Sequence, residues 1–159
     1  MLLLVQLVLF CAVFTAMIVA VVWDGPLGGL FFYPKPVQER ALELRMVEQD
    51  AIERRRRRFM SAFYLVMLAT LLLIIRMWNG ITSFWPAYRQ ALLFLEVMNV
   101  YDGIVIDKLW VGLSPFWAIP GCDDLPYVQT WGQVAKKRLA LAAIWVLGAA
   151  VVAALVRYA

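Results

Sequence analysis

The chain has 159 residues, carries a formal net charge of +4 and contains no histidine. The missing histidine excludes His-ligated haem, histidine zinc sites and histidine general bases. Hydrophobic residues make up 64%, above the roughly 45–50% of soluble domains. The excess lies in runs long enough to cross a bilayer, which takes about 20 apolar residues. The expected fold is all-α: one polytopic membrane domain over 1–159, with four transmembrane helices and a cytoplasmic amphipathic helix.

The first run, about 2–23, has no charge and ends on Trp23, an aromatic suited to the headgroup region. A signal peptide would need a basic start and a shorter apolar core, so this run is expected to be a retained helix. Asp24-Gly25-Pro26-Leu27-Gly28-Gly29 reads as a loop, and Leu30 to Tyr33 as an aromatic patch at the interface. From Pro36, apolar residues recur at 37, 41, 44, 47 and 51. That spacing predicts one amphipathic helix over about 36–58, supported by Asp50–Arg54 and Glu53–Arg57 pairs. It ends in Arg54, Arg55, Arg56, Arg57 and Arg58. These arginines are expected to bind anionic headgroups at the cytoplasmic face, with Trp110 in the same layer.

Further spans are expected at about 60–78, 84–106 and 139–156, with Asn79-Gly80 as a tight turn and 107–138 as a loop. The basic residues of the two long loops outnumber those at the other end, where only Arg76, Arg89 and Arg157 lie. The positive-inside rule then puts both loops in the cytoplasm and both termini outside a bacterial inner membrane. Nucleic acid is disfavoured because the basic clusters adjoin apolar spans, where lipid is the nearer anion. Cys11 and Cys122 would lie in different compartments, which argues against a disulfide.

The third span is the polar one. It holds Arg89, Glu96, Asn99 and Asp102, with Asp107 at its end. On an ideal α-helix Arg89, Glu96 and Asp107 share a face, while Asp102 points away. Glu96 is central, and an intramembrane carboxylate is a candidate site by default. Arg89 and Arg76 are its expected partners. The alternative is a structural ion pair that fixes helix packing. Asn99 is expected to bond a neighbouring helix. Ala149 and Ala153 allow close helix approach. Asp123 and Asp124 are weak metal candidates, because a turn after Pro120-Gly121 explains them as well. No cofactor is expected. Asp102-Gly103 with Asp107 matches part of the D-G…D signature of lipid phosphotransferases, but the remaining elements are absent.

Two stretches carry a resemblance: Tyr33-Pro34-Lys35-Pro36-Val37-Gln38-Glu39-Arg40-Ala41, and Asp102 to Trp110 followed by Ile119-Pro120-Gly121-Cys122-Asp123-Asp124. Together they resemble a group of small four-helix bacterial membrane proteins with an aspartate-rich third helix (D-x4-D-x2-W) and a P-G-x-D/E loop. Cys122 stands where the group would have threonine. The resemblance implies the topology and singles out Asp102, Asp107, Trp110 and the 120–124 turn; it implies no reaction. Three functions compete: an accessory or scaffold component with a membrane protein partner or homo-oligomer, an ion-handling transporter built on Glu96, and a lipid-headgroup enzyme. They rank in that order, and no nucleophile–base pair, phosphate loop or metal motif is present to lift the enzyme reading.

Overall fold

The computed structural model describes residues 1–158, and among these every regular element is helical. Helix α1 spans Leu2–Val22. It is apolar all round, as a helix surrounded by lipid or protein must be. Phe10, Phe14, Ile18 and Val22, four residues apart, face the core, while Leu4, Val8 and Leu9 are exposed. A tight helical turn, Pro26–Phe32, then folds back against the last turn of α1. Gly28 permits the approach, since a β-carbon there would collide with the Val21 carbonyl.

The single amphipathic helix expected over 36–58 is two elements. α2 spans Lys35–Glu43 and begins with Pro36 in its first turn. It stops because Arg45 takes a left-handed conformation, φ +54°. The Arg45 N–H then donates to Leu42 O (2.9 Å) and the Met46 N–H to Ala41 O (3.0 Å). This is a Schellman stop with arginine in the position glycine usually fills. The arginine run therefore belongs to the first turns of α3, Gln49–Trp78. Thirty residues rise about 45 Å, enough to cross a core of about 30 Å and carry the arginines beyond it.

The last turns of α3, Leu73–Trp78, are wound wide, and the Asn79 N–H closes them on Ile74 O at 3.0 Å. Helix α4 spans Phe84–Tyr101 and continues without a break through wide turns over Asp102–Trp110. One more turn, Val111–Leu113, ends it. The expected loop at 107–138 is thus shorter at both ends, because α5 starts at Trp131 and runs to Tyr158. Three helices are long and apolar enough to cross a membrane: Leu2–Val22, Gln49–Trp78 and Trp131–Tyr158. α4 is more polar and more enclosed. It makes its broadest packing with α5 and also packs on α1. Its Ala87, Ala91 and Phe94 are fully buried, as are Ala149 and Ala153 on α5.

The bundle has two distinct ends. At one, the buried Gln6 and the side chain of Asn79 exchange two hydrogen bonds, 2.7 and 3.2 Å. They tie the start of α1 to the α3–α4 turn. At the other, the two long connections pack on each other. The Tyr33 O–H donates to Trp117 O (2.7 Å), and Tyr33 packs beside both Trp117 and Tyr127. Gln38 Nε2 donates to Tyr33 O (2.7 Å), and Arg40 reaches both Asp124 oxygens (3.3 and 3.4 Å). Phe31 and Phe32 pack against Phe59 of α3.

Candidate functional site

The site grows from the sequence Asn99-x-x-Asp102-Gly103-x-x-x-Asp107 on α4. Five residues apart on an α-helix would be about 140° apart, and Asp102 is expected to point away from Asp107 on that basis. The segment is not α-helical. Wide turns that bond i to i+5 bring residues five apart onto one side. Asp102 and Asp107 therefore converge, and what they converge on is Arg138 of α5. Arg138 Nη1 donates to Asp102 and Nη2 to Asp107. Asn99 adds a bond from its Nδ2 to Arg138 O (2.9 Å), and Lys137 Nζ lies 3.3 Å from Asp107.

The guanidinium reaches both acids because Gly103 lies between them. A β-carbon at 103 would stand 3.1 Å from Arg138 Nε and 3.2 Å from its Cγ and Cδ. The arginine stem lies flat across this gap in the α4 surface. The side chain of Arg138 is 11% exposed, and those of Asp102 and Asp107 are 21% and 14% exposed. Charges so withdrawn from water are tolerable only when paired, as Arg138 is here with both acids. Two cations and two carboxylates leave the cluster formally neutral.

Beside the cluster lies a cavity of about 270 Å³. Its polar end is formed by Asn99, Asp102, Asp107, Lys137 and Arg138. Its apolar wall comes from Phe14 of α1, Phe59 and Phe63 of α3, and Leu141 and Trp145 of α5. Tyr33, Trp117 and Tyr127 close it on the side of the long connections. Met60 and Tyr64 of α3 and Lys137 of α5 line it while being exposed, so its mouth lies in the gap between α3 and α5. A mostly apolar hollow with a few convergent polar groups is the usual form of a small-molecule site.

The other expected residues fall as follows. Glu96 is half-buried, and its hydrogen bond comes from Asn99 Nδ2 at 3.4 Å. Among the described residues, no carboxylate lies within ion-pair distance of Arg89 or Arg76. The expected pairing of Glu96 with Arg89 or Arg76 is therefore not formed, and the Arg89 side chain is exposed. Trp110 packs edge-on to Trp117 (5.1 Å) and is half-buried among aromatics. The five arginines at 54–58 are exposed, with Arg54 4.0 Å from Asp50. Asp123 accepts from the Gly121 N–H (3.3 Å) and Asp124 is held by Arg40, so each has a turn or surface role. No group of three or more potential ligands is placed to hold a metal among the described residues. Arg138 was missed because it reads as the end of a Lys-Lys-Arg topology signal. A glycine flanked by acids at 102 and 107 is the trace it leaves in the sequence.

At the loop end, burial raises the Tyr33 phenol far above its ordinary pKa, with Tyr127 and Cys122 adding to the effect. Burial also raises the Cys122 thiol, against the opposing pull of Arg40. Both groups stay protonated at neutral pH. Comparison with family models, with curated proteins and with solved structures gives no match.

Proposed function

We propose that this chain is an accessory protein of a bacterial inner membrane that holds a small amphiphile in the α3–α5 cavity. In this reading α4 is a fourth span, shielded by its neighbours. Both long connections face the cytoplasm and both termini lie outside. The positive charge of the connections supports that orientation, as does their packing together at one end of the bundle. The contact of Arg40 with Asp124 joins the two stretches that resemble the small four-helix proteins.

The observation that carries the binding reading is the polarity of the cavity, aromatic along its wall and charged at one end. An amphiphile entering sideways between α3 and α5 would keep its chain against Phe59, Phe63 and Trp145 and its polar part at Lys137. An enzyme acting through Asp102 and Asp107 is disfavoured, since both carboxylates are already bound to Arg138. The test is native mass spectrometry of protein extracted gently from its membrane. A retained amphiphile that disappears in Leu141→Trp, with folding intact, supports the reading. Equal retention in Leu141→Trp, or none in the wild type, overturns it. A stoichiometric protein partner in the same spectra supports the accessory role; a monomer carrying lipid alone removes it.

A second reading is favoured by one observation. Glu96, Asn99, Arg138 and Asp107 form a continuous polar chain from mid-span to the loop end of α4. Such a chain suits ion or proton handling. In liposomes, Glu96→Gln should abolish proton flux without changing stability. Unchanged flux, or none in the wild type, ends this reading.

A further inference from the structure

The five arginines at 54–58 are not equivalent, and the fold separates them. Arg55 and Arg58, three residues apart and so on one face of α3, line a groove of about 500 Å³ along the α1–α3 seam. Arg54, Arg56 and Arg57 do not line it. The groove's walls are Met17, Ala20 and Val21 from α1, and Phe59 and Ala62 from α3. Ala20 and Ala62 leave the space that larger side chains would fill. At the mouth, Arg55 Nη1 donates to Leu27 O at 3.0 Å. That bond sets the guanidinium and leaves its remaining N–H groups available. Leu27 and Gly28 are held there because the turn after α1 is pressed onto Val21. Among the described residues no carboxylate lies within 4.0 Å of Arg55 or Arg58. Asp24 is the one acid that lines the groove.

We infer that this groove is a specific site for an anionic phospholipid, distinct from the α3–α5 cavity and separated from it by Phe59. The phosphate sits between Arg55 and Arg58, and one acyl chain follows Met17, Val21 and Ala62 towards the middle of the membrane. Three features on different elements point to that occupant. The two cations are unpaired, and guanidinium N–H groups match phosphate oxygens. The apolar wall starts directly at the charged mouth. The groove also runs between two helices that are each long and apolar enough to span, so lipid is the solvent it meets.

The test uses the full chain in detergent, titrated with phosphatidylglycerol or phosphatidylcholine of matched chains and read by native mass spectrometry. The wild type should prefer phosphatidylglycerol at least tenfold. R55Q/R58Q should lose that preference, whereas R56Q/R57Q, with the same change in charge, should keep it. Equal loss in the two double variants would reduce the effect to diffuse attraction and overturn the site. Ala62→Trp keeps every arginine but fills the groove, and should weaken phosphatidylglycerol binding at least fivefold. It keeps the inference testable if R55Q/R58Q does not fold. Displacement of the lipid by millimolar inorganic phosphate, together with an unaffected Ala62→Trp, would make this a phosphate site and overturn the lipid assignment. Leu141→Trp, which fills the other cavity, should leave binding here unchanged.

Discussion

Arg138 of α5 lies against the bare backbone of Gly103 on α4, and the carboxylates flanking that glycine grip the guanidinium from both sides. Glycine to alanine in a helix ordinarily gains about 1 kcal/mol. Gly103→Ala should fail to show that gain, because Arg138 is pinned and cannot retreat. Gly103→Leu should lower stability by about 1–3 kcal/mol, the usual cost of overpacking. Unfolding in mixed micelles titrated with sodium dodecyl sulfate measures both. A normal gain for Gly103→Ala would show that Arg138 is not held as described.

Removing the cation should be worse than removing the whole cluster. Arg138→Met leaves Asp102 withdrawn from water without a partner and Asp107 with only the more exposed Lys137, at a cost of about 3–5 kcal/mol. The triple variant R138M/D102N/D107N removes the charges together and should recover most of that loss. If the single and triple variants are equally unstable, the ion pairs are not what Arg138 contributes.

The contact between the two long connections rests on Tyr33, which is 7% exposed. Tyr33→Phe deletes its bond to the Trp117 carbonyl and should cost about 1 kcal/mol. The phenol has a raised pKa in the folded state. Its stabilising effect is therefore complete below the unfolded value of about 10 and fades as pH rises above it. The stability difference between wild type and Tyr33→Phe should shrink as pH rises from about 10 to about 11. A constant difference across that range would count against the buried phenol.

Cys122 is 2% exposed and its thiol is raised by burial. Iodoacetamide at mildly alkaline pH should alkylate it at least tenfold more slowly in the native protein than after unfolding. Fast native alkylation would mean that the two connections separate in solution.

Sidedness can be read with single cysteines at exposed positions. Thr82→Cys, in the exposed α3–α4 turn, should react with a membrane-impermeant maleimide added outside intact cells. Glu53→Cys, exposed at the start of α3, should react only after the membrane is broken. Both native cysteines are buried, which keeps background low. The opposite pattern would invert the proposed topology.

The spans at 2–23, 60–78 and 139–156 were legible because apolar run length is a local property. The charges that mark the ends of α3 and α5 were legible for the same reason. The site was not. Glu96 stood out through its position in the span, yet its bond is to Asn99, and the cation on α4's acids is Arg138 from another helix. One backbone event decided that outcome, and hydrophobic periodicity carries no trace of it: wide turns over Asp102–Trp110 rotated Asp107 towards Asp102. Composition and run length alone determined that this is a helical protein with segments long and apolar enough to cross a membrane. Which charges meet depends on the winding of α4 and the distance of α5 from it. Those are set by the packing of whole helices, and only the tertiary structure decided them.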